Sequence, residues 1–424
     1  MSGPAETMYD VIIVGGGPAG CAVALGLERA NPSASFLLID DTDPKTFKIG
    51  ESLPPEAQRI LRYLSPNSIF PKLGEDTRNG VHISCTGNAS VWESGELTET
   101  FAMMNPFGMG WHLDRVHFEE TLRGAVEDVS LKVQPMTTEE GKGKKSGSGF
   151  VKARFVGVEK LEKGGKESWC VQVEELEMKT VKQYHSKWLI DATGRKASVA
   201  HKLGAKITKN DNLLAFYAVF SSPLPDKDRD RRTLLEASPT GWWYTSQLGN
   251  NLRVVVYHTD DDDPTAKQAR KREGFLDLMQ DQTEYVSKII EGMDYRILSG
   301  TGGGGGYPKV TAACSSILEP SGEEAENGDG CSWFAVGDAA IAFDPLSSQG
   351  MITALQIGCS VGTIIAKKLR DEAEGKGGAK SMEQDEDYIP GLYRKVKDDY
   401  DKKKLYFYSQ CRFDTEFWAR RRRV

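Results

Sequence analysis

Cysteine is sparse and scattered in this chain, seven residues in 424, none in a C-x-x-C pair. Neither a zinc site nor a disulfide framework is indicated, and a reducing compartment follows. Excess positive charge is also missing. A net charge of −7 and a pI near 5.6 argue against nucleic acid or an anionic membrane as partner. The opening residues, MSGPAETMYD, contain no basic n-region and no apolar h-region, so no signal peptide is expected and the protein reads as cytoplasmic. No apolar run reaches membrane length: the best candidate, Met351 to Ala366, is interrupted by Gln356, Gly358, Ser360 and Gly362 and reads as a buried helix. The run Gly302 to Gly306 lacks the Lys-Ser/Thr and the preceding strand of a Walker motif. What remains is a globular protein of ordinary composition, 39% hydrophobic and 27% charged, long enough for two intimately connected domains.

Against these absences stands DVIIVGGGPAG, residues 10 to 20, a hydrophobic run ending in Gly15-x-Gly17-x-x-Gly20, with Asp40 closing a second run, FLLID. Gly15 permits the tight strand-to-helix turn, Gly17 lets backbone approach a pyrophosphate, and Gly20 lets the helix pack on the sheet. The charge would sit on free N–H groups at a helix start. Asp40 would accept from adenosine ribose hydroxyls, which favours a cofactor without a 2'-phosphate. A later segment, CSWFAVGDAAIAFDPLSSQGMITALQIG, predicts a strand ending at Gly337-Asp338, an irregular turn around Pro345, and a helix opening near Gln349-Gly350. A carboxylate at a strand end can accept from a ribityl hydroxyl, and a helix N-terminus can face the pyrimidine edge of a reduced flavin. That chemistry selects FAD, with Gly337, Asp338, Pro345, Ser348, Gln349 and Gly350 as candidate contacts.

Together with LIDATGRKA, whose Asp191-Ala192-Thr193-Gly194 closes a returning strand, these segments resemble the FAD-dependent monooxygenase and halogenase superfamily. The resemblance implies that the loop Lys48-Ile49-Gly50-Glu51-Ser52-Leu53-Pro54-Pro55 lies along the isoalloxazine, which makes Lys48, Gly50, Glu51 and Ser52 cofactor candidates. Gly110-Trp111-His112-Leu113-Asp114-Arg115, with Phe118 and Leu122 following, is similar to the D-R-x-x-F-x-x-x-L signature. Arg115, which cannot lose its charge, suits the FAD phosphates or ring edge. His112 is a candidate acid or base, set against the plainer reading of a packed histidine.

The predicted fold class is α/β: a Rossmann-like FAD-binding domain interleaved with an antiparallel β-sheet substrate domain, followed by a helical C-terminal tail. The FAD domain is expected to use residues 1–85, 115–210 and 300–370, the substrate domain 86–114 and 211–299, and the helical region 371–424. The runs LLAFYAVF, RTLLEAS, GWWYTSQL and LRVVVYHTD predict consecutive strands of the substrate sheet. Thr138 to Gly149 and Lys163 to Lys166 read as polar linkers, Asp260 to Asp263 as a solvated loop with no metal, and Arg420 to Arg423 as a solvated terminus.

Halogenases of the superfamily need a lysine in the first third of the chain to hold hypohalous acid, and this sequence has none between Lys72 and Lys132. Ser347 follows Pro345-Leu346 where tryptophan halogenases carry glutamate, and their Trp-x-Trp-x-Ile-Pro motif is absent, the nearest string being Trp242-Trp243-Tyr244. The remaining combination looks most like halogenase-like flavoproteins that oxidise tryptophan or related aromatics, including maturation enzymes of cysteine tryptophylquinone oxidases. The resemblance implies hydroxylation of an electron-rich aromatic substrate, free or protein-borne, through a flavin C4a-hydroperoxide. Trp242, Trp243, Tyr244, Phe216 and Phe107 are candidates for the dry wall, with Trp242 and Tyr244 on one strand face and Trp243 on the other. A flavin reductase or desaturase and a non-catalytic flavoprotein are the rival classes. The electron donor stays open between NAD(P)H and reduced flavin from a separate reductase.

Overall fold

The computed structural model describes residues 8–44, 46–130, 147–163, 166–224, 227–298, 307–319, 332–375 and 388–423. Most of the Thr138–Gly149 linker, the centre of the Lys163–Lys166 turn and the Gly302–Gly306 run fall outside them.

Strand β1 (Met8–Val14) and strand β2 (Phe36–Asp40) are nearly unbroken aliphatic runs, as strands covered on both faces require. They pair in parallel, Val11 opposite Phe36, and α1 (Pro18–Ala30) makes the crossover with proline in its first turn, where an N–H would find no partner. Strand β3 (Gly149–Lys163) starts parallel to β2, then turns with β4 (Lys166–Glu175) and β5 (Val181–Asp191) into an antiparallel meander. The far half of β5 returns alongside β1, and Ser332–Ala335 adds in parallel beyond it. Helix α2 (Arg115–Ser130) and helix α3 (Gly350–Ala373) cover this sheet with α1. The α1 and α3 backbones nearly touch, since a Cβ on Gly362 would lie 2.3 Å from the Val23 carbonyl oxygen. The predicted apolar helix therefore extends to Ala373. By length and composition it could cross a membrane, but 56% of its apolar window is buried inside the protein.

The second sheet is built on β6 (Leu213–Ser221), β7 (Thr233–Ser238), β8 (Gly241–Leu248) and β9 (Leu252–Asp260), in the antiparallel order β6-β9-β8-β7. One joint departs from the expected pattern: Gly87–Val91 joins β7 in parallel, and Thr98–Phe101 follows it at the edge. Lys309–Ala312 pairs with β6, so a segment assigned by sequence to the FAD domain is a strand of this sheet. Alternation divides the strands. Phe216, Phe220, Trp243 and Tyr257 face the helices Pro264–Ala269, Arg272–Gln282 and Tyr285–Gly292, while Ala215, Tyr217, Trp242 and Val256 face the opposite way.

The C-terminal helices α4 (Tyr388–Ser409) and α5 (Glu416–Arg422) are anchored, contrary to the reading of a solvated tail. Tyr408, Phe417 and Trp418 are buried against the Trp242 side of the second sheet. Arg421, also buried, donates to both oxygens of Asp260 at 2.5 and 3.0 Å, and Arg420 reaches Asp262 at 2.9 Å. Asp263 caps the next helix by accepting from Thr265 N–H. The Asp260–Asp263 run is thus a docking seat, because Asp260 and Asp262 each face an arginine and Asp263 accepts from an N–H.

Candidate functional site

A cavity of about 540 Å³ opens between the strand ends of the first sheet and the Trp242 face of the second. Gly17, Pro18 and Ala19 line one end, followed by Ala192, Gly194 and Arg195 after β5, and Val336, Gly337 and Asp338 after the last parallel strand. The N-terminus of α3 adds Pro345 and Ser347–Met351. Lys48, Ile49, Gly50, Ser52 and Arg115 come from the loop and helix predicted beside the flavin.

Gly15 and Gly20 serve the turn and its packing, the two structural roles expected of them. Gly15 sits at φ +112°, and a Cβ on Gly20 would lie 1.9 Å from the Gly15 carbonyl oxygen. Gly17 faces open space, with no atom within 4 Å of the Cβ it lacks. A phosphate group fits there, at the start of α1. Asp40 accepts from Gly16 N–H and from the Thr42 hydroxyl through Oδ1, both at 3.0 Å, while Oδ2 lies 3.8 Å from Arg123. Asp338 faces the cavity, with Arg195 Nε 3.3 Å away, and Arg195 also donates to the Cys314 and Phe343 carbonyls. Two helix N-termini and a strand-end carboxylate meet on this one cavity, an arrangement whose donors and acceptor could serve a pyrophosphate at α1, a ribityl hydroxyl at Asp338 and a pyrimidine edge at α3.

Arg115 and Lys48 converge on Glu119, each at 2.5 Å, and the Arg115 guanidinium first and then the Lys48 ammonium hold its carboxyl low against the opposing effect of burial. Arg115 further donates to the Ile49 and Gly50 carbonyls, which fixes the loop. The i, i+4 series Arg115-Glu119-Arg123 was legible in the sequence, but only Arg115 was singled out. Glu51 points away from the cavity and is fully buried. Its Oε1 accepts from Ser246 Oγ at 2.6 Å and its Oε2 from Gly50 N–H at 3.2 Å, and burial raises its carboxyl pKa. Ser246 Oγ lies 3.1 Å from Tyr244 Oη, which lies 3.2 Å from Ser52 Oγ.

Trp242 and Tyr244 line the cavity with Tyr217, Leu235, Val256 and His258, whereas Trp243 packs on the opposite face. Phe216 and Phe107 do not belong to the wall. Phe216 alternates with Ala215 and Tyr217 and faces the helices, and Phe107 lies beneath the Arg59 guanidinium at 4.4 Å. His112 is also corrected: it is sealed behind Thr233, whose hydroxyl is 2.9 Å from Nε2, and burial with Arg253 nearby lowers its pKa to about 3. A packed imidazole held neutral by so low a pKa neither gives up nor takes on a proton readily near pH 7. His258 and Tyr408 were missed, since each acquires its position only when distant segments meet. Tyr408 donates to Asp344 at 2.7 Å and accepts from Trp242 Nε1 at 3.2 Å.

No protein-family model matches the chain. Over 352 residues it is 27% identical to a putative FAD-dependent oxidoreductase, LodB, of Marinomonas mediterranea, an overlap of 83% of either chain. Its fold is similar to that of the myxobacterial chondrochloren halogenase CndH, with TM-score 0.73 and 18% identity over 99% of this chain and 86% of that one. It is similar also to the peptidyl tryptophan dihydroxylase QhpG, with TM-score 0.62 and 18% identity over 98% and 79%. The glycine turn, Gly337-Asp338 and two helix N-termini on one cavity accord with these likenesses: the chain is an FAD-dependent oxidoreductase, similar in fold to flavin-dependent halogenases.

Proposed function

We propose that the protein hydroxylates an electron-rich aromatic group, indole- or phenol-like, held against Trp242 and Tyr244. The observation that carries this reading is the lining: the wall is aromatic and aliphatic, and the lysine among its described residues, Lys48, has its ammonium on Glu119. An ammonium engaged in this way is a poor trap for hypohalous acid. Bound FAD, once reduced, supplies the activation of dioxygen. The chain's own residues bind and orient: Gly17 and α1 would take the pyrophosphate, Asp338 a ribityl hydroxyl, and the N-terminus of α3 the charge that develops at the pyrimidine edge. Tyr217, Trp242 and Val256 exclude water from the reacting ring.

Halogenation is the second reading, favoured by the fold shared with CndH. The substrate is either a free small aromatic or a side chain on a peptide, and the likeness to QhpG, named a peptidyl tryptophan dihydroxylase, favours including peptides in the assay. Free and peptide-borne indoles and phenols, reduced FAD, labelled dioxygen and excess halide form the test, read by mass spectrometry. One labelled oxygen in the product is the expected result. A regiospecific chlorinated or brominated product overturns the reading, and loss of two hydrogens without label turns it to a desaturase. Bleaching of the bound flavin by NADPH under anaerobic conditions, with and without an added flavin reductase, identifies the electron donor.

A further inference from the structure

A carboxyl group without access to water is a costly thing to bury unless its hydrogen bonds are complete. Glu51 is 1% exposed, and its two oxygens have different partners. Oε2 accepts from the Gly50 N–H, so a proton on this carboxyl belongs on Oε1, the oxygen 2.6 Å from Ser246 Oγ. From Ser246 the path runs 3.1 Å to Tyr244 Oη, and Tyr244 lines the cavity. Tyr244 and Ser246 are i and i+2 on β8, on one face of the strand, which is why one face of the sheet can present the pair to the Glu51 loop. Each hydroxyl can donate and accept, so the chain of bonds can reverse its direction.

We propose that Glu51, Ser246 and Tyr244 form a proton relay in which Tyr244 is the catalytic acid at the cavity and Glu51 is its buried store. This rests on the oxygenation reading above. In hydroxylation by dioxygen and a reduced flavin, one oxygen bonds to the ring and the other leaves as water, the flavin supplying two electrons and two protons. The Tyr244 O–H bond breaks as its proton bonds to the departing oxygen. The Ser246 proton then moves to Tyr244, and the Glu51 Oε1 proton moves to Ser246. No electrons are transferred in these steps. The Glu51 carboxylate so formed lies in the field of the Arg115 guanidinium, which favours it. Because Glu51 has no opening to solvent of its own, it is refilled along the same path by the proton the ring releases when aromaticity returns. Glu51 and Ser246 are positioning residues that act through Tyr244.

The test compares Glu51→Gln, Ser246→Ala, Ser246→Thr and Tyr244→Phe in the purified flavoprotein. With Glu51 sealed from water, Oε2 bonded to the Gly50 N–H and Oε1 against Ser246, the relay requires a protonated acid, so the wild-type-minus-Glu51→Gln infrared spectrum near pH 7 is expected to show a carboxylic acid band, shifted in Ser246→Ala. Turnover is expected to fall roughly 100-fold in Glu51→Gln, Ser246→Ala and Tyr244→Phe, with KM changed less than about twofold and the solvent isotope effect altered. Ser246→Thr, which restores a hydroxyl, is expected to recover most of the rate. Absence of the band overturns the relay, as does a Ser246→Thr protein as slow as Ser246→Ala. Should Glu51→Gln not fold, the band shift in Ser246→Ala decides. The infrared measurement needs no substrate, so its outcome is separate from that of the labelled-oxygen assay.

Discussion

The indole of Trp242 lies flat on the imidazole of His258, with ring centroids 3.6 Å apart and planes 12° apart. The same indole donates to Tyr408 on the C-terminal helix α4, so an aromatic lining the cavity is gripped on its face and at its nitrogen. A wall held in this way is a fixed surface rather than a movable flap.

Gly17 and Gly20 give opposite outcomes on substitution. Gly20→Ala places a methyl against the Gly15 carbonyl and is expected to lower the melting temperature of the apoprotein and abolish flavin binding together. Gly17→Ala meets no protein atom, so its apoprotein should melt as the wild type does while retained FAD drops sharply. Melting curves beside flavin content per chain check both; a Gly17→Ala protein that retains its FAD contradicts the phosphate assignment.

Asp338 and Asp344 separate along similar lines. Asp338→Asn is expected to weaken FAD retention with little effect on melting, since its carboxylate faces the cavity. Asp344 is fully buried, capping the Pro345–Ser347 turn and accepting from Tyr408. Asp344→Ala should therefore cost about 1–3 kcal/mol of stability and loosen the C-terminal helices. Equal flavin retention and equal melting in the two variants would remove the distinction.

Acid stability depends on His258. Burial, with Arg421 adding repulsion, lowers its pKa to about 3, against an unfolded value near 6.5. Between those values the unfolded chain takes up a proton that the folded chain refuses. Its contribution is thus complete above pH 6.5 and is lost as pH falls towards 3, at up to about 1.4 kcal/mol per pH unit. Denaturant titrations of His258→Phe across that window should show a shallower decline than the wild type; parallel curves would mean the imidazole is already charged when folded.

Arg421→Gln should be among the most destabilising single changes in the tail. It leaves Asp260 buried beside an uncharged amide, and breaking such a pair costs about 3–5 kcal/mol. Limited proteolysis is expected to clip α4 and α5 in the variant before the rest of the chain.

What the sequence made legible was local. The strand-turn-helix at Gly15–Gly20 and the alternation of Trp242, Trp243 and Tyr244 follow from short-range geometry, and the structure places them as expected. Glu51 was a fair candidate by its loop, but whether it faces the cavity depends on a seat at Ser246, nearly two hundred residues away. Asp260 and Arg421 each looked solvated because charge runs are usually solvated, and neither shows its partner in its own neighbourhood. Lys309–Ala312 is short, and only its pairing with β6 makes it part of the second sheet.

The involvement of α4 in the cavity wall has a bearing on how the protein is made. Ribosomes deliver β1 and α1 early, yet the strand Ser332–Ala335 that completes the parallel sheet, and Tyr408 that braces Trp242 and Asp344, emerge much later. A nascent chain can thus form its nucleotide turn long before it has a finished chamber. The face of the cavity that carries Trp242 is therefore braced only once α4 has folded back against it, so the nucleotide turn and the chamber wall mature at opposite ends of synthesis.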